Sequence, residues 1–251
     1  MPRANFYRAK LIERIAFSEE LALFRFRPDE SLSFRPGQYA TIALKNGDKL
    51  IQRPYSIVSS PYEAFLELFI ELVPQGELTL RLWDLKVEDE VLINRRIVGS
   101  FTLDEESGRK RHLMTATVTG VAPFISMTRT RRIEIQRGKI DPYQFAIIHG
   151  ASHSSELGIY KDELAELSRE GWLTYVPTVS RPWGDADWKG ETGRVEDVLR
   201  KYADQLGFDR LNASAYACGH PQMIKNVRGV LERARFATEQ IKEEKFFPSK
   251  K

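Results

Sequence analysis

The sequence predicts two domains, an antiparallel β-barrel followed by a parallel sheet with helices on both faces. Up to about residue 103, short apolar runs alternate with turn residues, which is typical of an antiparallel barrel or sandwich. Beyond residue 110, strand patterns alternate with helix patterns, and this order favours a parallel sheet. The polar stretch 104–110 separates the two patterns. We therefore predict domains at residues 1–105 and 106–251.

The first domain is predicted to contain strands joined by tight turns, and one short helix. Clear strand candidates are residues 21–26, 39–44 and 65–73. Asn46-Gly47 predicts a tight turn after the second of these strands. Residues 76–83 are predicted to form a short helical crossing between strands.

One further strand candidate carries an unusual set of side chains. Residues 53–61 read RPYSIVSSP, so a cation, an aromatic ring and a hydroxyl lie within four positions. Pro54 has no backbone donor, which restricts it to an edge strand or a bulge. The stretch is therefore either a ligand site or an edge strand with an exposed arginine and tyrosine.

The second domain is predicted to alternate strands and helices along the chain. Strand candidates are residues 111–117, 144–149, 172–178 and 213–218. Helix candidates are residues 123–136, 160–170, 195–205 and 221–235. Ligands of parallel sheets bind beyond the carboxyl ends of the strands, so the turns after these strands are the candidate binding segments.

Composition and charge argue against several classes of protein. The chain has 251 residues, 42% of them apolar, and a formal charge of only +3, which argues against disorder and gives no support for a nucleic-acid or membrane partner. Basic clusters at 109–112 and 129–132 lack interleaved aromatic residues and are interpreted as solvated faces. A single cysteine, Cys218, excludes an internal disulfide and any metal site built from several cysteines. With no recognisable signal peptide or membrane span, we expect a cytoplasmic protein without a metal.

The turn at residues 117–123, TVTGVAP, follows the first strand of the second domain. Gly120 and Ala122 allow a backbone to approach a ligand closely, and Pro123 suits the first turn of a helix whose free amides can hold a pyrophosphate. Small residues also occur in such turns for packing reasons. The pattern alone leaves both interpretations open.

The last turn, YACGHPQMI at residues 216–224, places the only cysteine at the end of a strand. A free cysteine is usually a small buried apolar residue, and spacing alone favours that interpretation of Cys218. A nucleophilic role lacks support because no histidine with an orienting acid can be recognised.

Two arginines follow the third strand of the second domain. Arg181 comes directly after that strand, and Arg194 opens the next helix. Converging guanidinium groups can bind a phosphate through forked hydrogen bonds. The alternative is an ordinary surface ion pair for each arginine, which is the commoner arrangement.

Taken in chain order, these motifs resemble those of the ferredoxin–NADP(H) reductase family, especially its bacterial members. RPYSIVSSP resembles the flavin motif Arg-x-Tyr-Ser and follows PGQY at residues 36–39. GELT at 76–79 resembles the flavin pyrophosphate turn, while TVTGVAPF and CGHPQMI resemble the two nicotinamide motifs. EEKFF at 243–247 resembles the acidic and aromatic tail that related reductases place near the flavin. The resemblance covers nearly the whole chain and implies an FAD-binding β-barrel followed by a Rossmann-like NAD(P)-binding domain.

The resemblance implies an FAD site in the first domain. Arg53 is expected to offset the pyrophosphate charge, Tyr55 to pack on the isoalloxazine, and Ser56 to present its hydroxyl to the reacting nitrogen of the flavin. The expected FAD residues are Arg53, Pro54, Tyr55, Ser56, Phe69, Ile70, Glu71, Gly76, Leu78, Thr79, Thr119 and Phe247.

It also implies an NADP(H) site in the second domain. The expected residues are Gly120, Val121, Ser180, Arg181, Arg194, Cys218, Gly219 and Met223. The expected catalytic residues are Ser56, Cys218 and Glu244. Cys218 and Thr119 would flank the nicotinamide, Glu243 or Glu244 would relay a proton to Ser56, and Phe246 or Phe247 would cover the flavin.

Two positions depart from the family pattern. The nicotinamide loop usually begins Gly-Thr-Gly, but Val118 replaces the first glycine, and a valine cannot cheaply adopt a glycine-only conformation. Bacterial NADP-binding relatives commonly carry an arginine at the place of Ser152. Arg181 and Arg194 match the other two cations of the family pattern, so NADP(H) leads. NAD(H) is the close alternative, because losing one of three charged contacts costs about 1.5–3 kcal/mol and erodes the preference for NADP(H).

The resemblance implies hydride transfer between NADP(H) and FAD, followed by single-electron exchange with a separate ferredoxin or flavodoxin. One alternative is an NADH-dependent reductase component that serves an oxygenase or another electron-transfer system. A more remote alternative is a non-enzymatic flavin-binding relay subunit. We expect a monomer or weak dimer that binds neither nucleic acid nor membrane.

Overall fold

The computed structural model describes residues 5–47, 49–139 and 143–246. The described residues form two compact units, the first made of residues 5–103 and 122–137, the second of 104–121 and 138–246. The domain ranges 1–105 and 106–251 remain a prediction from the sequence. None of the described helices is both long and apolar enough to cross a membrane.

The first unit is built on one antiparallel sheet. Its strands are β1 (Phe6–Ala16), β2 (Leu21–Pro28), β3 (Tyr39–Asn46), β4 (Lys49–Ser56), β5 (Leu66–Glu71) and β6 (Glu90–Asn94). Their spatial order is β4-β3-β6-β1-β2-β5, and neighbouring strands are antiparallel. A bridge between Ile57 and Leu68 joins the chain after β4 to β5, the opposite edge strand. The sheet therefore curls towards closure, which confirms the predicted antiparallel class.

Helix α1 (Glu77–Asp84) covers part of the core of this sheet, as the sequence predicted for residues 76–83. Its apolar positions Leu78 and Leu82 are fully buried among the strand side chains. The Trp83 ring lies 5.2 Å from the Phe24 ring. This packing fixes the position of α1 on the sheet, and with it the turn at Gly76 that precedes the helix.

Helix α2 (Ala122–Gln136) belongs to the first unit. Ser126 donates its hydroxyl to the Ser59 carbonyl at 2.7 Å, and the hydroxyls of Ser60 and Thr130 are 2.9 Å apart. The second half of RPYSIVSSP thus binds a helix, a role that the sequence did not indicate.

The arginines of α2 correct the interpretation of residues 129–132 as a solvated face. The side chains of Arg129 and Arg131 are only 14% and 12% exposed. Arg129 forms an ion pair with the fully buried Glu67 at 3.0 Å, and Arg131 pairs with Glu134 at 3.2 Å. These charges serve packing within the unit.

The second unit is a parallel sheet with helices. Its strands are β7 (Arg111–Thr117), β8 (Gln144–Ala151), β9 (Leu173–Val179), β10 (Glu191–Thr192), β11 (Ala213–Gly219) and β12 (Ile241–Lys245). Its helices are α3 (Tyr160–Ser168), α4 (Val195–Leu206) and α5 (Pro221–Arg233). These bounds confirm the predicted strands and helices to within two residues. The interpretation of 109–112 as a solvated face is wrong for His112, which is fully buried.

The strand order of this sheet is β10-β9-β8-β7-β11-β12, with all neighbours parallel. From β7 the chain proceeds towards β10, and it then returns to the other side of β7 with β11. The direction of strand addition therefore reverses between β7 and β11. In open parallel sheets, ligands bind at such a switch point.

The core beside the switch point is closely packed because β11 carries small residues. Ala213, Ala215 and Ala217 are fully buried and let α4 and α5 approach the sheet. From α5, Ile224 and Val227 pack into the same cluster. The turns that follow β7 and β11 are thereby held on a rigid base.

Candidate functional site

Strand β4 presents the Arg-x-Tyr-Ser motif at its carboxyl end. It is an edge strand, paired only with β3, which explains why Pro54 is tolerated. Arg53 and Tyr55 lie on one face because side chains alternate along a strand. Tyr55 packs against the core, and burial raises the pKa of its phenol although the Arg53 charge lowers it. Ser56 is nearly buried at the end of the strand.

Arg53 lies beside the first turn of α1. Its exposed guanidinium donates to the Gln52 carbonyl at 2.7 Å and lies 4.0 Å from the Glu77 carboxylate. The preceding Gly76 is the N-cap of α1, and no described side chain caps the helix amides. Free amides at a helix start and a neighbouring guanidinium both favour an anion.

The turn before α1 requires a glycine. A Cβ atom at Gly76 would lie 2.5 Å from Thr79 Oγ1 and 2.9 Å from Val73 Cβ. Thr79 is nearly buried, and its hydroxyl accepts a hydrogen bond from the Val73 amide at 3.2 Å. Thr79 therefore shapes the turn. Without a side chain at Gly76, the backbone amides at the start of α1 are open to a ligand such as a pyrophosphate.

Other predicted flavin residues lie in the core of the first unit. Phe69, Ile70 and Leu78 are buried, so a ligand would meet their backbone and not their side chains. Glu71 ends β5 and is exposed. Phe247 lies outside the described residues.

At the switch point of the second unit, the turns after β7 and β11 touch each other through their backbones. A Cβ atom at Gly120 would lie 2.3 Å from the Cys218 carbonyl oxygen. Gly219 has a φ of +127°, and a Cβ atom there would lie 2.4 Å from Thr117 Oγ1. The structure thus brings Gly120 of the first predicted nicotinamide motif next to Cys218 and Gly219 of the second.

Val118 adopts the conformation that the sequence argued against. Its φ is +44°, in the left-handed region that a β-branched residue rarely occupies. It begins the 3₁₀ turn Val118–Val121, in which Thr119, Gly120 and Val121 are buried. The loop therefore keeps a glycine-like backbone without the glycine.

Cys218 is fully buried and lies next to Glu244. Strands β11 and β12 pair these two residues directly, and Cys218 Sγ is 3.9 Å from Glu244 Oε1. Burial and the nearby Glu244 charge raise the pKa of the thiol well above its ordinary value. The thiol is thus neutral near pH 7, consistent with the absence of a nucleophilic arrangement.

Strand β12 distinguishes the two acids of the tail. Glu243 accepts a hydrogen bond from Arg228 Nε at 2.5 Å, whereas Glu244 lies beside the cysteine. The Phe246 amide donates to the Gly219 carbonyl at 3.0 Å. The tail thus follows the edge of the sheet to the carboxyl end of β11, a strand pairing that the charged sequence IKEEK did not predict.

Helix α5 begins at the same edge of the sheet. His220 is its N-cap and accepts a hydrogen bond from the Gln222 amide at 3.1 Å. Met223 in the first turn is buried. Met223 therefore packs into the core of the second unit, next to the turn after β11.

The arginine candidates lie at the carboxyl ends of the outer strands. Ser180 and Arg181 follow β9, and Arg194 follows β10, which pairs with the end of β9. Both guanidinium side chains belong to exposed residues, and within residues 5–47, 49–139 and 143–246 neither forms an ion pair. The alternative of ordinary surface ion pairs is therefore wrong for the described part of the chain.

Ser152 lies next to Arg181 and to a carboxylate. The Arg181 amide donates to the Ser152 carbonyl at 3.0 Å. The Ser152 amide in turn donates to Glu156 Oε2 at 2.7 Å. The Glu156 carboxylate therefore lies at the backbone of Ser152, one of the two positions that depart from the family pattern.

No group of three or more potential metal ligands occurs in the part of the chain that the structure describes.

Two family models match the chain in the order of its two patterns. The first, described as an oxidoreductase FAD-binding domain, matches residues 8–99. The second, described as an oxidoreductase NAD-binding domain, matches residues 114–229.

Curated relatives match over most of their length. The chain is 29% identical over 244 residues to the ferredoxin–NADP reductase of Pseudomonas aeruginosa, covering 91% of this chain and 90% of the relative. It is 30% identical over 207 residues to the flavodoxin/ferredoxin–NADP reductase of Escherichia coli, covering 78% of each.

A solved structure matches equally well. The crystal structure of a ferredoxin NADP+ reductase from Neisseria gonorrhoeae with bound FAD and NADP has a TM-score of 0.84 and 27% identity, covering 98% of this chain and 100% of that one.

Proposed function

Because the chain belongs to the ferredoxin–NADP reductase family, we propose that it transfers a hydride between NADP(H) and FAD and exchanges single electrons with a separate ferredoxin or flavodoxin. The observation that carries the proposal is the grouping of Arg53, the tight Gly76 turn and the uncapped amides of α1. This grouping fits the pyrophosphate of a dinucleotide, with the Tyr55 ring on the same strand for an aromatic ligand.

FAD, when bound, supplies the hydride and one-electron chemistry. Arg53 binds the pyrophosphate together with the amides of α1. Tyr55 gives its ring face to the isoalloxazine, and Ser56 places its hydroxyl at the reacting edge. The buried positions of Phe69, Ile70 and Leu78 leave their backbone groups to complete the site.

In the second unit, the chain's own residues position the nicotinamide dinucleotide. Gly120 and Gly219 allow the backbone to approach it, since a Cβ at either position would collide with the neighbouring turn. Arg181 and Arg194 bind its phosphates. Cys218 forms a neutral side of the nicotinamide site, and the Glu244 carboxylate beside it serves in the proposed proton relay.

NADH dependence is the second candidate, and the pair Ser152 and Glu156 favours it. The Glu156 carboxylate accepts the Ser152 amide, and a fixed negative charge there opposes a 2′-phosphate. The chain would then be an NADH-dependent reductase component of an oxygenase or a similar system. A non-enzymatic flavin relay is a third, more remote reading.

We also propose a cytoplasmic location and a monomer or weak dimer without nucleic-acid or membrane partners. The single cysteine and the near balance of 38 basic and 35 acidic residues support this.

The decisive experiment is anaerobic stopped-flow reduction of the FAD-loaded protein by NADPH and, separately, by NADH. Fast bleaching of the flavin by NADPH supports the first candidate, and the reduced protein should then reduce an added ferredoxin or flavodoxin. Equal or faster bleaching by NADH supports the second. Bleaching by neither would contradict both and favour the relay.

Arg181→Ala should raise the Michaelis constant for NADPH about tenfold to a hundredfold, the worth of one charge-assisted contact, and change that for NADH much less. Steady-state kinetics with an artificial acceptor measures both. Arg169→Ala is the matched control, since Arg169 is the exposed C-cap residue of α3 and pairs with Glu166. Equal effects of Arg181→Ala on both substrates would reject the phosphate contact.

Ser56→Ala should retain FAD but slow flavin reduction about tenfold or more, because a hydrogen bond at the reacting edge is lost. Stopped-flow bleaching measures the rate, and the flavin spectrum measures occupancy. Ser59→Ala is the control within the same motif, because the Ser59 hydroxyl accepts from the Glu67 amide at 3.1 Å. That variant should lose stability without slowing the reaction; an unchanged rate in Ser56→Ala would contradict its role.

A further inference from the structure

The left-handed conformation of Val118 needs an explanation, because strained backbone persists only where its surroundings hold it. Two kinds of contact do so. The Val118 side chain packs against a small apolar cluster formed by Ala151, Leu157 and Val179. Its carbonyl oxygen lies 2.9 Å from His149 Nε2.

The protonation of His149 follows from its two partners. A carbonyl oxygen can only accept, so Nε2 must carry the hydrogen and donate it to Val118. The other nitrogen, Nδ1, then accepts from the Tyr175 hydroxyl, which lies 3.2 Å away. Burial lowers the pKa of His149 to about 4, despite the opposing hydrogen bond with Val118. The ring is therefore neutral near pH 7, with a fixed tautomer.

These two hydrogen bonds cross three neighbouring strands. Tyr175 lies on β9, His149 on β8, and Val118 follows β7. The two hydrogen bonds thus link Tyr175, inside the sheet, through His149 to the turn at the switch point. No feature of the sequence stretch AIIHGA singles out His149, because its partners are distant along the chain.

Val118 determines the path of the turn that follows it. Gly120 has to pass within contact of the Cys218 carbonyl, so a change in the Val118 backbone would move Gly120 and Thr119 together. We propose that His149 is a positioning residue, whose Nε2 hydrogen bond locks Val118 in the left-handed conformation and so holds turn 118–121 ready for the nicotinamide dinucleotide. This proposal rests on the nicotinamide site proposed above.

The proposal makes a distinction between two substitutions of His149. His149→Gln can place an amide nitrogen near the Nε2 position and keep the donor, whereas the shorter His149→Asn cannot reach the Val118 carbonyl. On FAD-loaded protein, we expect His149→Asn to weaken NADP+ binding about tenfold, the worth of one lost hydrogen bond. His149→Gln should bind NADP+ within about threefold of the unaltered protein.

Val118→Gly provides the rescue, because glycine adopts positive φ without strain. In the double variant Val118→Gly/His149→Asn, NADP+ affinity should return to within about threefold of the unaltered protein, since the turn no longer needs the lock. Val118→Ala/His149→Asn is the matched control. It trims the same side chain but keeps the strain, and it should stay impaired.

Calorimetric titration with NADP+ and with NAD+ gives the dissociation constants, and thermal unfolding of the same variants gives a second readout. His149→Asn should lower the melting temperature less in the Val118→Gly background than in the native one. Equal weakening by His149→Asn and His149→Gln, or no rescue by Val118→Gly, would overturn the positioning role.

These measurements distinguish failure of the His149 role from failure of the proposed function. If the unaltered protein binds dinucleotide and its flavin is reduced, but His149→Asn behaves identically, only the role of His149 fails. If the unaltered protein binds neither NADP+ nor NAD+, the proposed function fails, and the positioning role fails with it.

Discussion

Gly120→Ala should abolish measurable NADP+ binding while FAD remains bound. The new methyl group would lie 2.3 Å from the Cys218 carbonyl oxygen, 2.7 Å from its carbon and 2.9 Å from Gly219 Cα. All three are backbone atoms, so no side chain can rotate to make room. The turns after β7 and β11 would have to separate, at a cost of about 1–3 kcal/mol or more, and the crevice between these turns would change shape.

Titration with NADP+ and the flavin absorbance spectrum measure the two effects of Gly120→Ala separately. Gly229→Ala is a matched control in α5, where a Cβ atom would meet only the flexible end of Arg233, at 3.4 Å. That control should keep binding and gain up to about 1 kcal/mol of stability. Native NADP+ affinity in Gly120→Ala would show that the turn is not part of the site.

Glu67→Ala should lower the free energy of unfolding by about 3–5 kcal/mol, the effect of breaking a buried ion pair from one side. The Glu67 side chain is fully buried. Its Oε2 lies 2.6 Å from Arg25 Nε, and its Oε1 lies 3.0 Å from Arg129 Nη1. Removing it leaves the largely buried guanidinium groups of Arg25 and Arg129 without their buried anion, with the more exposed Glu13 and Glu63 as remaining carboxylate partners. Because Arg129 lies on α2, the change should also weaken the attachment of that helix.

Urea denaturation measures the effect of Glu67→Ala, and Glu13→Ala is its control. Glu13 pairs with the same Arg25 at 2.5 Å, but its side chain is 43% exposed. An exposed pair contributes about 0–1 kcal/mol, so Glu13→Ala should be nearly neutral. If both variants lose the same stability, burial of Glu67 does not control the strength of its pairs.

Most helices and strands could be predicted from the sequence because each carries its own pattern of apolar residues. The apolar run at 144–149 and the helix over 195–205 need no distant partner to be recognised. Strands β10 and β12 were missed for the opposite reason. The first has two residues, and the second, IKEEK, is mostly charged, so only pairing with β9 and β11 makes them strands.

For the candidate site, the sequence supplies residue types but not the contacts that support them. Resemblance identified Arg53, Gly120 and Cys218, and the structure adds the contacts that fix their surroundings. Val118 adopts the left-handed conformation that is costly for a β-branched residue, and His149, its proposed support, lies 31 positions away. Likewise, the partners of Ser59 and Ser60 on α2 lie 67 and 70 positions away. Such pairs follow from the fold and cannot be recognised in a local stretch.

The membership of α2 in the first unit has a consequence for any attempt to divide the protein. The chain passes from one unit to the other at residues 103–104, 121–122 and 137–138. A fragment that stops near residue 105 would lack Ser126, Arg129 and Thr130, and would leave Ser59, Ser60 and Glu67 facing an empty helix position. A single protease cut in the polar stretch 104–110 would detach the strands of the first unit from the chain, while α2 would stay covalently joined to the second unit. Neither unit is therefore a separable module, and the two have to be expressed together.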